Sequence, residues 1–359
     1  MPKRIVHMLN SMGMGGIENF IMNVYRQIDK QEYQFDFILQ CEEESFFEKE
    51  IKELGGKIYR IPRFEKHPLK HCQELKSILK QNNFWAFHRH TASSVVFIDL
   101  WIAKACKINK RLVHSHNTSN KGVFLNKLFR FLLSHFSTHK LACSIDAGKW
   151  LYGNRRFVVI HNGIDTKKYL FSNEIRKKLR NELNIDNNIV IGHVGRFSAQ
   201  KNHLFLLRVF QKVYQKNSNY RLLLCGSGEL EQEMKAFCTQ QKIEEAVIFA
   251  GVRDDIPMVM QAMDIFAFPS LYEGLGIVLM EAQLTNLPCV VSNRIPKEAI
   301  YHTNVTSLEI KEQFEEEWVN TILNTTIETS SRHQVNQQLL KDYDIVSVTN
   351  DLVQIYEGE

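Results

Sequence analysis

Short apolar runs of strand length alternate along this chain with stretches whose apolar residues recur three and four positions apart, the spacing of one helix face. The pattern predicts a strand over Arg4–Asn10, a glycine-rich loop over Ser11–Gly16 and a helix over Ile17–Gln27. Glu18 falls in that helix's first turn, where a carboxylate suits the dipole. Strand Tyr33–Leu39, helix Phe46–Leu54, closed by Gly55-Gly56, and strand Lys57–Ile61 follow. The alternation continues with helix Leu69–Gln81, strand Phe84–Phe87, helix Ser94–Lys107, strand Arg111–His114, helix Phe124–His135 and strand His139–Ala142.

After a strand over Phe157–Ile160, the turn signal His161-Asn162-Gly163-Ile164-Asp165 marks a join. The same scheme then restarts: strand Ile189–Val194, helix Asn202–Asn217, strand Tyr220–Leu224, helix Glu229–Gln241, strand Val247–Ala250 and helix Ile256–Ala262. Strands over Asp264–Phe268 and Pro288–Val291 complete it, and Tyr343–Tyr356 is apolar at helical spacing. Strands spaced regularly among helices imply parallel, doubly wound sheets. At 359 residues the chain exceeds the usual limit of one core. The expected fold class is therefore α/β, with two Rossmann-like doubly wound domains, 1–165 and 166–344, facing a central cleft.

Composition narrows the class. Apolar residues make up 44% and charged residues 24%, which is ordinary for a soluble globular chain. The seven cysteines are scattered and never form Cys-x-x-Cys, which argues against a disulfide framework and a zinc-cysteine site and favours a reducing, cytoplasmic setting. No signal peptide precedes the first strand, and no apolar run approaches the roughly 20 residues needed to span a bilayer. The net charge of +5 hides an asymmetry. Residues 1–165 hold 25 Lys+Arg against 15 Asp+Glu, and residues 166–359 hold 20 against 25. A basic first half points to an anionic partner such as a membrane surface or a nucleic acid, with a solvated lysine-rich surface as the plain alternative.

The stretch Pro269 to Ala282 carries the sharpest chemistry. Glu273 stands in a loop after a predicted strand, and Glu281 follows in the next helix. In an open α/β sheet the C-terminal strand edge is where ligands bind. The amides of Gly274, Leu275, Gly276 and Ile277 open a helix, an arrangement that attracts phosphate. Two carboxylates beside it can grip hydroxyls, as on a sugar and a ribose. This stretch resembles the Glu-x7-Glu signature of the retaining glycosyltransferases of family 4, whose architecture is GT-B.

Further elements extend the resemblance over nearly the whole chain. Gly13, Gly15 and Gly16 after the first strand do not spell Gly-x-Gly-x-x-Gly, and no acidic residue closes the second strand, so a dinucleotide site fits poorly. They are similar to the family's Gly-Gly-x-Glu loop. Arg196 and Lys201 lie at a predicted strand end and the next helix start. Cations there oppose the helix dipole and call for a bound anion; arginine can fork onto two diphosphate oxygens while lysine acts as a point charge.

Two His-x-His units, His88/His90 and His114/His116, follow predicted strands. Metal is one reading of that spacing, but with no acidic or cysteine ligand nearby a metal site is not expected. Gly226 and Arg253 belong to loops expected near the nucleotide. Asp342-Tyr343-Asp344 has the Asp-x-Asp form of the other large glycosyltransferase fold, but it lies between helical segments and reads as chance.

The resemblance implies specific roles. Arg196 and Lys201 offset charge on the departing nucleotide diphosphate, Glu281 holds the ribose hydroxyls, Glu273 holds sugar hydroxyls, and Gly15 and Gly16 let the backbone approach the phosphates. His116, with His114 as the competing choice, stands beside the donor sugar, and His88 and His90 face the acceptor. The closing helix, about 345–359, crosses back onto the first domain. No cofactor or divalent metal is required.

The implied reaction moves a sugar from a nucleotide diphosphate, with UDP expected, to a saccharide or lipid-linked saccharide in bacterial capsule or exopolysaccharide assembly. The expected place is the cytoplasm, at the inner face of the membrane, with no nucleic-acid partner. The aromatic, basic stretch Lys121–Lys140 is read either as a helix covering the sheet or as one lying in a membrane interface. A UDP-sugar 2-epimerase and a non-catalytic partner subunit share the same plan, and fold alone does not separate the three.

Overall fold

The computed structural model describes residues 1–13, 15–116 and 123–358. Met14 and Lys121, which the loop and helix readings above touch, lie outside them. The chain divides into two units, one of Met1–Ile164 with Asp342–Glu359 and one of Asp165–Lys341.

In the first unit the order is β1 (Lys3–Leu9), α1 (Gly16–Gln27), β2 (Tyr33–Leu39), α2 (Glu48–Glu53), β3 (Ile58–Arg60), α3 (Pro68–Gln81) and β4 (Ala86–Thr91). Then come α4 (Phe97–Ala105), β5 (Lys110–Ser115), α5 (Val123–Phe136), β6 (His139–Ala142), α6 (Ile145–Tyr152) and β7 (Val158–Val159). The seven strands are parallel in the order β3-β2-β1-β4-β5-β6-β7. Strands covered by helices on both faces lose their alternation, and all seven residues of β2 are buried. The one carboxylate among them, Asp36, accepts from Arg4 Nε at 2.6 Å and from the Lys57 amide at 2.8 Å.

The second unit contains α7 (Asn173–Glu182), β8 (Ile189–Val194), α8 (His203–Lys216), β9 (Tyr220–Cys225), α9 (Glu231–Gln240), β10 (Val247–Gly251) and α10 (Ile256–Ala262). It continues with β11 (Ile265–Phe268), α11 (Ile277–Leu284), β12 (Cys289–Ser292), β13 (Val305–Leu308) and α12 (Glu315–Asn324), and α13 (Gln337–Tyr343) closes it. Its six parallel strands run β10-β9-β8-β11-β12-β13. In each sheet the winding reverses once, between β1 and β4 and between β8 and β11, and a ligand crevice belongs at the C-terminal ends of those strand pairs.

The last helix, α14 (Ile345–Glu357), belongs to the first unit. Ile164 and the residues around Asp344 exchange backbone bonds of 2.7 and 2.9 Å. Asp344 caps α14, accepting from the amides of Val346 and Ser347. That gives the second aspartate of Asp342-Tyr343-Asp344 a structural role.

A buried arginine ties the end of the second unit to its middle. Arg332, 4% exposed, donates to the carbonyls of Thr285, Gln261, Met263 and Met260 at 2.9–3.1 Å. Arg332→Met keeps the stem but strands those carbonyls. The expected loss is about 3 kcal/mol in urea unfolding, since each buried unsatisfied group costs about 1–3 kcal/mol; a change under about 0.5 kcal/mol would refute this account.

Candidate active site

The second unit assembles most of the predicted residues at one strand edge. Beyond β8, Ala199–Lys201 forms a tight turn, and Asn202 in the left-handed region (φ 57°) opens α8. Three hydrogen bonds pin this turn to the loop after β11. The Leu271 amide donates to Gln200 O at 2.8 Å, Gln200 Nε2 to Tyr272 O at 3.0 Å and Asn202 Nδ2 to Pro269 O at 3.2 Å. Those contacts bring Lys201 Nζ to 2.7 Å from Glu273 Oε1 and 4.9 Å from the Phe268 ring centre. The lysine side chain is 17% exposed and the carboxylate 8%.

Gly276 (φ +77°) caps the N-terminus of α11, a backbone state that favours glycine, and leaves the first amides of the helix free of a side-chain cap. Glu281 sits on that helix, half-buried, with Tyr169 interacting with its carboxylate. Desolvation pushes the Glu281 carboxyl up to about 7, partly offset by the Tyr169 hydroxyl.

Arg196 stands at the other side of the β8 edge with its side chain 75% exposed, 3.1 Å from Glu229. Gly226 (φ +144°) follows β9, and a Cβ there would lie 2.0 Å from the Gly195 carbonyl, so only glycine fits. Arg253 is spent on Asp255, with Nε to Oδ1 at 2.6 Å and a second, parallel bond, so it frames the loop and is not a free cation.

The first unit places the remaining residues. Gly15 caps α1, Gly16 begins it, and Glu18 folds back so closely that a Cβ on Gly15 would meet its Oε2 at 2.3 Å. His88 and His90 do not lie beyond a strand as expected. β4 runs on to Thr91, and the two rings are 0% and 3% exposed, so neither can face an acceptor. The polar run His88-Arg89-His90 ends an apolar pattern without ending the strand, because Arg89 pairs with Asp99 at 2.9 Å and donates to Met8 O and His90 O.

His114 also lies inside its strand, fully buried, while His116 stands one residue past Ser115 and is 7% exposed. Burial holds the His116 ring well below its ordinary range, at about 3, so it is a neutral imidazole. Sequence reasoning missed Tyr169. Its place in a short turn after the join carries no motif, and only the fold brings it to Glu281.

Comparison with known proteins places this geometry. A family model described as Glycosyltransferase Family 4 matches residues 14–168, and one described as Glycosyl transferases group 1 matches 175–339. EpsF of Bacillus subtilis (strain 168), a glycosyltransferase by name, is 32% identical over 371 residues, 99% of this chain and 96% of that protein. The chain belongs to the family 4 glycosyltransferases.

The capsular polysaccharide biosynthesis glycosyltransferase CapH of Staphylococcus aureus is 23% identical, with 98% of each chain covered. Among solved structures, Anabaena HepE in complex with UDP has a TM-score of 0.83 at 19% identity, covering 99% of this chain and 100% of that one. WaaG, named as a glycosyltransferase of lipopolysaccharide biosynthesis, has a TM-score of 0.72 at 15% identity, covering 99% and 100%. The fold is GT-B, and the chain is a glycosyltransferase. Among the described residues no helix is long and apolar enough to cross a membrane.

Proposed function

We propose that this family 4 enzyme transfers a sugar from a UDP-linked donor, with retention at the anomeric carbon, to a hydroxyl of a lipid-linked saccharide. The observation that carries the reading is the Lys201–Glu273 couple set against the open N-terminus of α11, with Glu281 on the same helix. A diphosphate takes the helix amides, Lys201 and Arg196, and the ribose diol donates to Glu281. Glu273 holds sugar hydroxyls while Lys201 turns toward phosphate.

In the reaction the bond from the anomeric carbon to the diphosphate oxygen breaks, and the acceptor oxygen bonds the same face of that carbon. The acceptor's proton passes to the departing phosphate oxygen. Lys201 and Arg196 stabilise the charge left on the diphosphate, which is electrostatic stabilisation of a leaving group. These cations stand where a divalent ion would otherwise be needed, so the reading includes metal independence.

Thermal unfolding with UDP, GDP, ADP and their sugar conjugates, EDTA present, tests this. A ligand at about 100 times its dissociation constant adds about 2.7 kcal/mol. A shift with UDP and one UDP-sugar, lost in Glu281→Ala, is expected; no shift with any nucleotide would sink the donor site.

The acceptor side of the reading includes a membrane surface. α5 presses Leu133 and Asn126 inward but leaves Phe124, Leu125, Leu128 and Phe131 exposed at helical spacing, with Lys127 beside them. An aromatic and basic face of this kind suits an anionic interface. Phe124→Ser with Phe131→Ser is expected to weaken association with anionic lipid vesicles by about tenfold or more, since burying each ring contributes roughly 1.5–3 kcal/mol. Equal vesicle binding by both proteins in co-sedimentation would remove the membrane from the proposal.

A further inference from the structure

The first unit concentrates five histidines on one face of its sheet. β1, β4 and β5 are neighbours, and the parallel register sets His7 beside His88 and His90 beside His114. Residues two apart in a strand share a face, so each His-x-His unit points both rings the same way. The rings lie under Phe20 and Tyr356, from α1 and α14. None of the five is more than 7% exposed, and ring centres of His114 and His116 are 4.2 Å apart.

Hydrogen bonding inside this cluster is incomplete. His7 Nδ1 meets His90 Nε2 at 3.0 Å, His90 Nδ1 meets His116 Nε2 at 2.9 Å, and His88 Nδ1 meets the Tyr356 hydroxyl at 2.7 Å. Among the described residues, five ring nitrogens have no hydrogen-bond partner: His7 Nε2, His88 Nε2, His116 Nδ1 and both nitrogens of His114. The Ile160 backbone near His114 does not reach hydrogen-bonding geometry. Buried polar atoms are almost always satisfied, so each exception calls for an explanation such as a bound ion. A neutral imidazole carries one lone pair, so each ring can serve as a ligand.

We propose that His90, His114 and His116 hold one divalent transition-metal ion of the zinc class. One nitrogen from each of the three lies within 4.8 Å of those of the other two. Three of the five unsatisfied nitrogens belong to this trio. The neighbouring trio His7, His88 and His90 has similar spacing, but it lies deeper and His88 is already engaged by Tyr356.

His7 supplies the outer contact. When His90 donates Nε2–H to His7 Nδ1, His90 Nδ1 is left as a lone pair facing His116, the arrangement that orients a metal-binding imidazole. A nitrogen-only donor set selects zinc, cobalt, nickel or copper over magnesium or calcium, which prefer oxygen. Three neutral ligands leave one tetrahedral position for water or an anion. The sequence argued against metal because no acid or cysteine adjoins either His-x-His unit. The third ligand comes instead from the next strand, which spacing along one strand cannot reveal. The cations of the donor reading lie in the second unit, whereas His114 and His116, which the family resemblance sets beside the donor sugar, serve here as metal ligands.

The test is a cobalt titration of the full-length, chelator-stripped protein. One Co2+ per chain is expected, with visible ligand-field absorption, no thiolate charge-transfer band, and displacement by Zn2+. His114→Asn and His116→Asn should each weaken binding by about 100-fold. Occupancy below about a tenth of an equivalent, or binding unchanged in both variants, overturns the proposal; so does a spectrum dominated by thiolate, since the cysteines are the competing site. Should the variants fail to fold by circular dichroism, X-ray absorption of the zinc-loaded wild type decides. Three imidazole nitrogens at about 2.0 Å support the site, and a sulfur or all-oxygen shell refutes it.

Discussion

Lys201→Ala is expected to lower kcat by about 10²–10³ while leaving KM for the donor within a few-fold, because the charge it meets develops mainly as the diphosphate departs. The lysine is not a loose surface cation. A tight turn fixes its backbone, two side-chain bonds from Gln200 and Asn202 tie that turn to the next loop, and its stem lies over Phe268. Its partner Glu273 is nearly buried, so alanine also strands a carboxylate. Breaking a buried pair costs about 3–5 kcal/mol, whereas removing both charges costs far less. Lys201→Ala with Glu273→Gln should therefore recover most of the stability and none of the rate. A double variant that recovered activity along with stability would show that neither charge is needed for the chemistry, and the leaving-group role of Lys201 would be lost. Arg196→Ala separates the two contributions further. Its side chain is largely exposed and its ion pair with Glu229 is solvent-screened, so a rate loss there carries almost no stability change.

The elements behind these expectations were legible to different degrees. Ile189–Val194, Ile256–Ala262 and His139–Ala142 are observed with the bounds their apolar runs predict, since buried strands and amphipathic helices leave a direct imprint on hydrophobic spacing. Glu273 and Glu281 stand in a strand–loop–helix unit as read, because the Pro-Ser corner and Gly274 and Gly276 punctuate it.

What spacing could not show is how polar residues become acceptable inside. The apolar pattern ends β4 at Phe87, because Arg89 looks like a loop residue until Asp99 and two backbone carbonyls satisfy it. β13, α6, α7 and α12 have no counterpart among the elements the spacing predicts. α7 is nearly all polar, and its Arg176 and Arg180 are spent on Asp264 and the carbonyls of Ala262 and Met263, partners some 85 residues away. The histidines illustrate the same limit. Their period-two spacing was visible, but their burial depends on three strands being neighbours, which is a property of sheet order.

Glu281 gives the second large effect, and it is a pH effect. In the ligand-free protein burial raises its carboxyl to about 7, so the proton is held through most of the range where an unfolded glutamate, near 4.5, has lost it. The sign follows. The raised value removes stability as pH climbs from 4.5 toward 7, the opposite of a salt-bridged carboxylate.

Donor binding runs the other way. In the proposed donor site ribose hydroxyls donate to the ionised carboxylate, so binding should expel the proton and affinity should weaken as pH falls below about 7. With one proton linked, an intact UDP-sugar should bind about 20-fold more weakly at pH 5.5 than at pH 7.5. The diester phosphates of a UDP-sugar do not titrate in that range, whereas the terminal phosphate of UDP does, with a second ionisation near 6. Glu281→Gln cannot ionise. Its affinity should be flat over the same interval and lower than the wild-type plateau by about tenfold or more, since a hydrogen bond to a charged group contributes roughly 1.5–3 kcal/mol. Calorimetry in two buffers of different ionisation heat reads the expelled proton directly. A wild-type affinity as flat as that of Glu281→Gln, with no proton released, would mean that the ribose does not engage Glu281.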